Sequence, residues 1–183
     1  MEKKHKKTKI YGKNIYLMPI TTKHLPTCWK WINDKEVTEY LGGPFAKTYQ
    51  EEIKWFQEVK KNNKERLFGI FDKHDNKYIG NIGIHGIDNF HKKAQVGIMI
   101  GEKEYWSKGY GTDAMKTALS YGFDILKLNK ISLNVNIENI GAQKSYKKCG
   151  YQEIGIAKEE LFTNGKFYDA ILMEIMTKDF KNP

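Results

Sequence analysis

The chain has 183 residues, with 31 lysines and arginines against 22 aspartates and glutamates, a formal net charge of +9. That length suits one domain with a sizeable core, and the mixed charge excludes a disordered chain. No apolar run is long enough to span a membrane, and the N-terminus lacks a signal-type apolar stretch. Cys28 and Cys149 have neither metal-ligand spacing nor a partner motif, so a reduced, cytoplasmic setting without metal is expected. About half of the net charge sits in residues 1–9, where Lys3, Lys4, Lys6, Lys7 and Lys9 face Glu2. This arm reads as solvated and disordered, and residues 10–183 as a single domain. A nucleic-acid partner would want a readable module or a basic and aromatic platform, and the sequence has neither.

Residues 14–20 read as a first strand with Pro19 near its end. Thr21 and Thr22 then cap a helix to about Asn33, with Leu25, Trp29 and Ile32 on its apolar stripe. Leu41-Gly42-Gly43-Pro44 breaks the chain before a second helix over residues 49–62, which turns Ile53, Phe56 and Val59 inward. Residues 66–71 and 78–87 read as strands joined by a polar hairpin turn. Glycines at 80, 83 and 86 mark a bulge or a close backbone approach. A fourth strand leaves the turn at residues 88–91 and ends in the apolar run Val96-Gly97-Ile98-Met99-Ile100, which reads as buried. These three antiparallel strands form the expected centre of the sheet.

The next stretch, Tyr105-Trp106-Ser107-Lys108-Gly109-Tyr110-Gly111-Thr112-Asp113-Ala114, is a glycine-punctuated loop that opens into a helix over residues 112–126. Ala114, Ala118, Gly122 and Ile125 give that helix one small, close-packing face. The first N–H groups of a helix have no internal partners and carry the positive end of its dipole, which suits a phosphate. Gly109 and Gly111 let the backbone come close to such an anion. Neither G-x-x-x-x-G-K-S/T nor G-x-G-x-x-G is present.

A strand over residues 130–135, with Ile131, Leu133 and Val135 inward, leads to a helix over residues 139–149. From Asn136 to Tyr151 the pattern is N-x-x-N-x-x-A-x-x-x-Y-x-x-x-G-Y. Asn139 is the expected N-cap, Ala142, Tyr146 and Cys149 share a face, and Gly150 ends the helix. Residues 151–162 and 167–176 close the chain as a hairpin around Thr163-Asn164-Gly165-Lys166. The whole is an α/β (α+β) chain with a mixed, mostly antiparallel sheet of about seven strands and about four helices.

On these two segments the chain resembles the GNAT superfamily of acetyl-CoA-dependent N-acetyltransferases, over roughly residues 10–180. Gly109-Tyr110-Gly111 matches the second half of its Q/R-x-x-G-x-G/A pyrophosphate motif, and Asn139 to Tyr151 matches its second cofactor motif. Tyr105-Trp106 and Lys108-Gly109-Tyr110-Gly111-Thr112 are similar to the RimJ/RimL-like branch of ribosomal-protein N-terminal and spermidine acetyltransferases. The resemblance implies the GNAT fold, acetyl-CoA as co-substrate, and transfer to a primary amine by direct attack in a ternary complex. Lys108, Gly109, Tyr110, Gly111 and Thr112 would cradle the pyrophosphate. Ile98, Met99 and Ile100 would pair as a strand edge with the pantetheine arm, where a bulge parts the fourth and fifth strands. A backbone N–H near Ile98 would face the thioester oxygen. Asn139 would contact the same arm, Lys144 the outer phosphates along with Lys147 and Lys148, and Tyr146 would protonate the leaving thiolate. Glu39, Tyr40 and Phe45 fall where the family lines its acceptor site, and the branch suggests a homodimer.

Two positions depart from the pattern. Trp106 stands where the broad motif has Gln or Arg. Gln95 stands where the branch often has a glutamate that is a candidate base, and an amide takes no proton at working pH. The amine would then be deprotonated by another group, through water, or enter already neutral; His85 and His91, near strand ends, are candidates, and the base is left open. The basic charge favours a neutral or acidic acceptor, a small molecule or a protein N-terminus, over a polycation. The alternative is a non-catalytic acyl-CoA-binding module of the same fold, against which the presence of Tyr146 speaks. Cys149, at a helix end beside Gly150, reads as a small buried residue and not as a nucleophile.

Overall fold

Eight strands pair into one sheet: β1 (Ile10–Tyr11), β2 (Ile15–Pro19), β3 (Arg66–Asp72), β4 (Tyr78–Asp88), β5 (Lys93–Ile100), β6 (Lys130–Asn136), β7 (Gln152–Thr163) and β8 (Lys166–Met176). Their spatial order is β1-β2-β3-β4-β5-β6-β8-β7. Among the described residues five α-helices accompany them: α1 (Leu25–Ile32), α2 (Lys35–Thr38), α3 (Tyr49–Lys61), α4 (Tyr110–Ser120) and α5 (Ile140–Lys148). The computed structural model describes residues 9–41, 47–163 and 165–181. Most of the basic arm, the glycine-proline break, Phe45 and Asn164 lie outside the described residues.

Every strand pair is antiparallel except β5 with β6. That parallel pair joins only Lys93 to Lys130, Ala94 to Ile131 and Gln95 to Ser132. Beyond Gln95 the partners part, because β4 holds β5 on one side and β8 holds β6 on the other. The sheet therefore opens as a wedge at its middle.

The main core lies between the sheet and α4, where Leu17, Ile82, Ile84 and Val96 meet Met115 and Leu119. Alternation along β4 and β5 sends Gly83, His85, Gln95 and Gly97 to the opposite face. On that face a smaller cluster of Ile20, Leu25, Cys28 and Phe56 packs beneath α1 and α3. β5 is not buried throughout as its apolar run suggested. Ala94 and Val96 are buried, Gln95 and Gly97 are exposed, and Ile98 to Ile100 are half-buried at the opening.

Three further differences have local causes. A 3-10 turn at Thr22–His24 leads into α1, fixed by the Thr21 N–H donating to His24 Nδ1 at 2.9 Å. This tighter winding rotates the helix so that Leu25, Cys28 and Trp31 are buried, while Trp29 and Ile32 are only half-buried. After Ser120 the chain winds as a π-helical turn over Tyr121–Ile125, which shifts the phase of the apolar face. Gly122 and Phe123 are buried there, and Ile125 is 66% exposed. β1 and α2 are too short to show a period in sequence.

Asp113, in the first turn of α4, reaches across to the β1–β2 turn. Its carboxylate accepts the N–H groups of Lys13, Asn14 and Ile15 at 2.9, 2.6 and 3.2 Å. Charge-assisted bonds of this kind are stronger than neutral ones. Asp113→Ala is expected to lower unfolding free energy by about 2 kcal/mol in urea titration, and Asp113→Asn by less, since the amide oxygen still accepts.

Candidate functional site

The glycine loop is held rigidly before it reaches α4. The Trp106 indole N–H donates to the Ile100 carbonyl at 2.8 Å, which pins the loop to the end of β5. Gly101 sits under Trp31 so closely that any β-carbon would collide with the indole. Gly109 is the N-cap of α4 with φ +87°, and a β-carbon there would meet no atom within 4 Å. The space in front of it is open. The N–H groups of Tyr110, Gly111 and Thr112 have no helical acceptor, and Asp113 N–H is the first to donate, to Gly109 at 3.0 Å. Backbone donors and helix dipole therefore converge on one opening, with the exposed Lys108 beside it.

Tyr110 enters this cradle by its backbone alone. Its ring packs edge-on against Tyr105 at 4.8 Å. Both hydroxyls donate to Asp72 Oδ2, at 3.2 Å from Tyr105 and 3.4 Å from Tyr110. Desolvation and the Asp72 carboxylate push the Tyr105 hydroxyl up to about 12. Asp72, which the sequence did not single out, is thus the buried support of the loop. With Glu104 and Lys108 these groups line a cavity of about 270 Å³.

On the far side of the wedge the turn from β6 into α5 is tied by side chains. Asn139 Oδ1 accepts the Ala142 N–H at 3.0 Å, as an N-cap should. Buried Gln143 donates to the Ile137 carbonyl at 2.8 Å. The Thr112 and Ser145 hydroxyls bond at 2.8 Å, and Cys149 Sγ lies 3.6 Å from the Thr112 carbonyl. These links lock the first turn of α4 to α5. Tyr146, one residue on, is half-buried against the main core, and burial followed by Cys149 pushes its hydroxyl up to about 12. Burial raises the Cys149 thiol to about 11, which keeps it a thiol at neutral pH and a poor nucleophile. Lys144 and Lys148 are exposed, whereas Lys147 is paired with Glu153 at 2.7 Å.

On the opposite face His85 stands directly across from Gln95. Its Nδ1 lies 2.5 Å from Glu65 Oε2, and Glu65 Oε1 accepts the Gly86 N–H at 3.2 Å. Nothing in the sequence joins Glu65 to His85; the hint was the run of glycines around the histidine. His91 is occupied elsewhere, with Nδ1 2.7 Å from Asp88 Oδ2 in an exposed turn. Glu39 is exposed at the end of α2 and Tyr40 is half-buried. Among the described residues no cluster of histidine, cysteine or carboxylate side chains could hold a metal.

A parallel pair that parts after three residues thus opens onto a helix start whose first donors lack helical acceptors, an arrangement suited to a ligand that carries a phosphate. The chain belongs to the GNAT acetyltransferase family, whose acetyltransferase (GNAT) domain model matches residues 14–152. It is an N-acetyltransferase that uses acetyl-CoA as co-substrate. It is 31% identical over 150 residues to spermidine N(1)-acetyltransferase of Vibrio cholerae, covering 82% of this chain and 86% of the relative. It is 26% identical over 165 residues to the N-acetyltransferase YoaA of Bacillus subtilis, covering 88% and 93%. The crystal structure of the Vibrio cholerae spermidine N-acetyltransferase in complex with CoA and spermine superposes with a TM-score of 0.85 at 28% identity, covering 91% of this chain and 97% of that one. The residues present fit the co-substrate, because the space beside Gly109 is open and the donors behind it lack partners.

The raised tyrosines carry a pH dependence. A folded-state value near 12 against about 10 unfolded means that the protonated hydroxyls of Tyr105 and Tyr146 stabilise the fold fully below about pH 10. That stability is lost as pH rises towards 12. Urea titrations from pH 8 to 11.5 should show a plateau followed by a decline, less steep in Tyr146→Phe.

Proposed function

We propose that the chain acetylates a primary amine by direct attack in a ternary complex, as a member of the RimJ/RimL-like branch. One observation carries this reading: the Thr112–Ser145 hydroxyl pair makes the phosphate cradle and the helix of Tyr146 a single rigid unit at the mouth of the wedge. The backbone of Lys108, Gly109, Tyr110, Gly111 and Thr112 holds the pyrophosphate, with the Lys108 ammonium beside it. The free edge of Ile98, Met99 and Ile100 pairs with the amide-bearing arm, which Asn139 also contacts. Lys144 meets the outer phosphates. Bound acetyl-CoA supplies an activated acyl carbon. The N–H near Ile98 polarises its carbonyl. Tyr146, whose hydroxyl stays protonated at working pH, gives its proton to the departing thiolate.

The acceptor in this reading is neutral or acidic, a small molecule or a protein N-terminus, because a chain of net charge +9 repels a polycation. The spermidine named for the Vibrio cholerae relative is the competing acceptor. Exposed Ile154, Ile156, Phe162 and Phe167 on the β7–β8 hairpin give a second copy an apolar face to cover in a homodimer.

Calorimetry with acetyl-CoA should give micromolar-range binding that Gly109→Asp abolishes, since the new carboxylate enters the cradle. Thiol release should then be followed with spermidine, glucosamine and a peptide with an acidic N-terminus. Tyr146→Phe is expected to lower kcat about 100-fold or more with acetyl-CoA affinity retained. Undiminished turnover in that variant would remove Tyr146 from the mechanism, and preference for spermidine would overturn the acceptor assignment. Tight acetyl-CoA binding without turnover on any amine would mark a sensing module.

A further inference from the structure

We propose that His85, oriented by Glu65, is the general base that deprotonates the acceptor amine; this rests on the acetyltransferase reading above. Gln95 cannot take a proton, yet the group directly across the strand pair from it can. The Nε2 end of the His85 ring reaches over two glycines. A β-carbon on Gly83 would collide with His85 Nε2, and one on Gly97 would stand 3.6 Å from the same nitrogen. Gly83 and Gly97 are themselves cross-strand partners, so together they form a floor without side chains on which the imidazole rests.

That floor places the imidazole beside the reacting position. Gly97 immediately precedes Ile98, the residue at which the thioester carbonyl is polarised in the proposed mechanism. The β5–β6 pairing ends at Gln95, so the wedge opens directly beside the ring. His85 projects from the face opposite Ile84, whereas Tyr146 packs against the cluster that contains Ile84. The base and the acid thus approach the gap from opposite faces of the sheet.

The tautomer follows from the contacts. Glu65 accepts from Gly86 N–H through one oxygen and meets His85 Nδ1 through the other, so the neutral imidazole keeps its proton on Nδ1 and presents Nε2 bare. The His85 side chain is 40% exposed and that of Glu65 17%, which leaves the ring open to substrate and the carboxylate behind it. Glu65 is the charged group in contact with the ring. Lys93, exposed on the same face, is two residues along β5 from Gln95.

In the step, Nε2 takes one proton from the acceptor ammonium. The freed lone pair forms the C–N bond as the C–S bond breaks, and Tyr146 protonates the sulfur. The second proton shed by nitrogen leaves to water, and water reprotonates Tyr146. Ammonium and thioester become amide, thiol and one proton, which departs from His85. Glu65 is a positioning residue, since it acts through the ring.

The test compares His85→Gln, Glu65→Gln and the double variant, using acetyl-CoA and whichever of spermidine, glucosamine and the acidic peptide gives the highest kcat/KM. His85→Gln should lower kcat/KM about 100-fold at pH 7 and abolish its fall on the acid side, with acetyl-CoA Kd and the unfolding midpoint unchanged. Glu65→Gln should lower it about tenfold, and the double variant no further than His85→Gln, because the two act as one unit. Gly83→Ala, which displaces the ring while leaving both residues in place, should reproduce the loss. Independently of turnover, NMR of protein labelled with 15N-histidine should show neutral His85 protonated on Nδ1. An active wild type with His85→Gln within threefold of it, or a proton resident on Nε2, would overturn the dyad alone. A wild type that acetylates none of the three amines would defeat the proposed acceptor and ternary-complex mechanism, and the dyad with them.

Discussion

The site depends on a parallel strand pairing that is too short to close. Three residue pairs join β5 to β6, after which each strand follows its other neighbour. Backbone N–H and C=O groups along the free stretch of β5 still need partners. Such groups are what an extended ligand bearing amides would complement in the manner of another strand, as the proposed function requires. Three features meet at this opening: the glycine-led helix start at one end, the capped start of α5 across from it, and the glycine pair of β4 and β5 on the other face.

Rigidity around the opening comes from polar groups, and most of them sit outside the motifs. Trp106 fastens the loop to the last carbonyl of β5, and Asp72 gathers the hydroxyls of Tyr105 and Tyr110 beneath it. Lys77 bridges Glu102 and Glu104 at 2.7 and 2.5 Å, bracing the same loop from the β3–β4 hairpin. A loop fixed in this way has its donors already aimed, so the anion binding proposed for it would cost little ordering entropy.

The sequence revealed those features that local chemistry encodes. Asn139 as a cap, Gly150 as the residue that ends its helix, and the inward alternation of Ile131, Leu133 and Val135 all follow from short-range rules. The failures occur where tertiary context intervenes. The stripe of α1 turned because a histidine caps the preceding 3-10 turn, and Ile125 faces outward because a π turn adds a residue to the winding. The Tyr110 hydroxyl, whose partner no local pattern announces, is held by Asp72, distant in sequence. The contact between Glu65 and His85 likewise joins a loop to a strand through no local pattern. Partners of that kind appear only once the sheet register is known.

Asp113 has a consequence beyond anchoring. A carboxylate in the first turn of a helix would ordinarily cancel part of the positive potential that an incoming phosphate senses. Here three N–H groups at the β1–β2 turn donate to its oxygens and offset part of that effect with their own dipoles. The potential at the mouth is thus protected by a segment nearly a hundred residues upstream. The length of that turn is consequently constrained by electrostatics as well as by packing: a deletion at Gly12 or Lys13 would withdraw donors from a carboxylate in the first turn of α4.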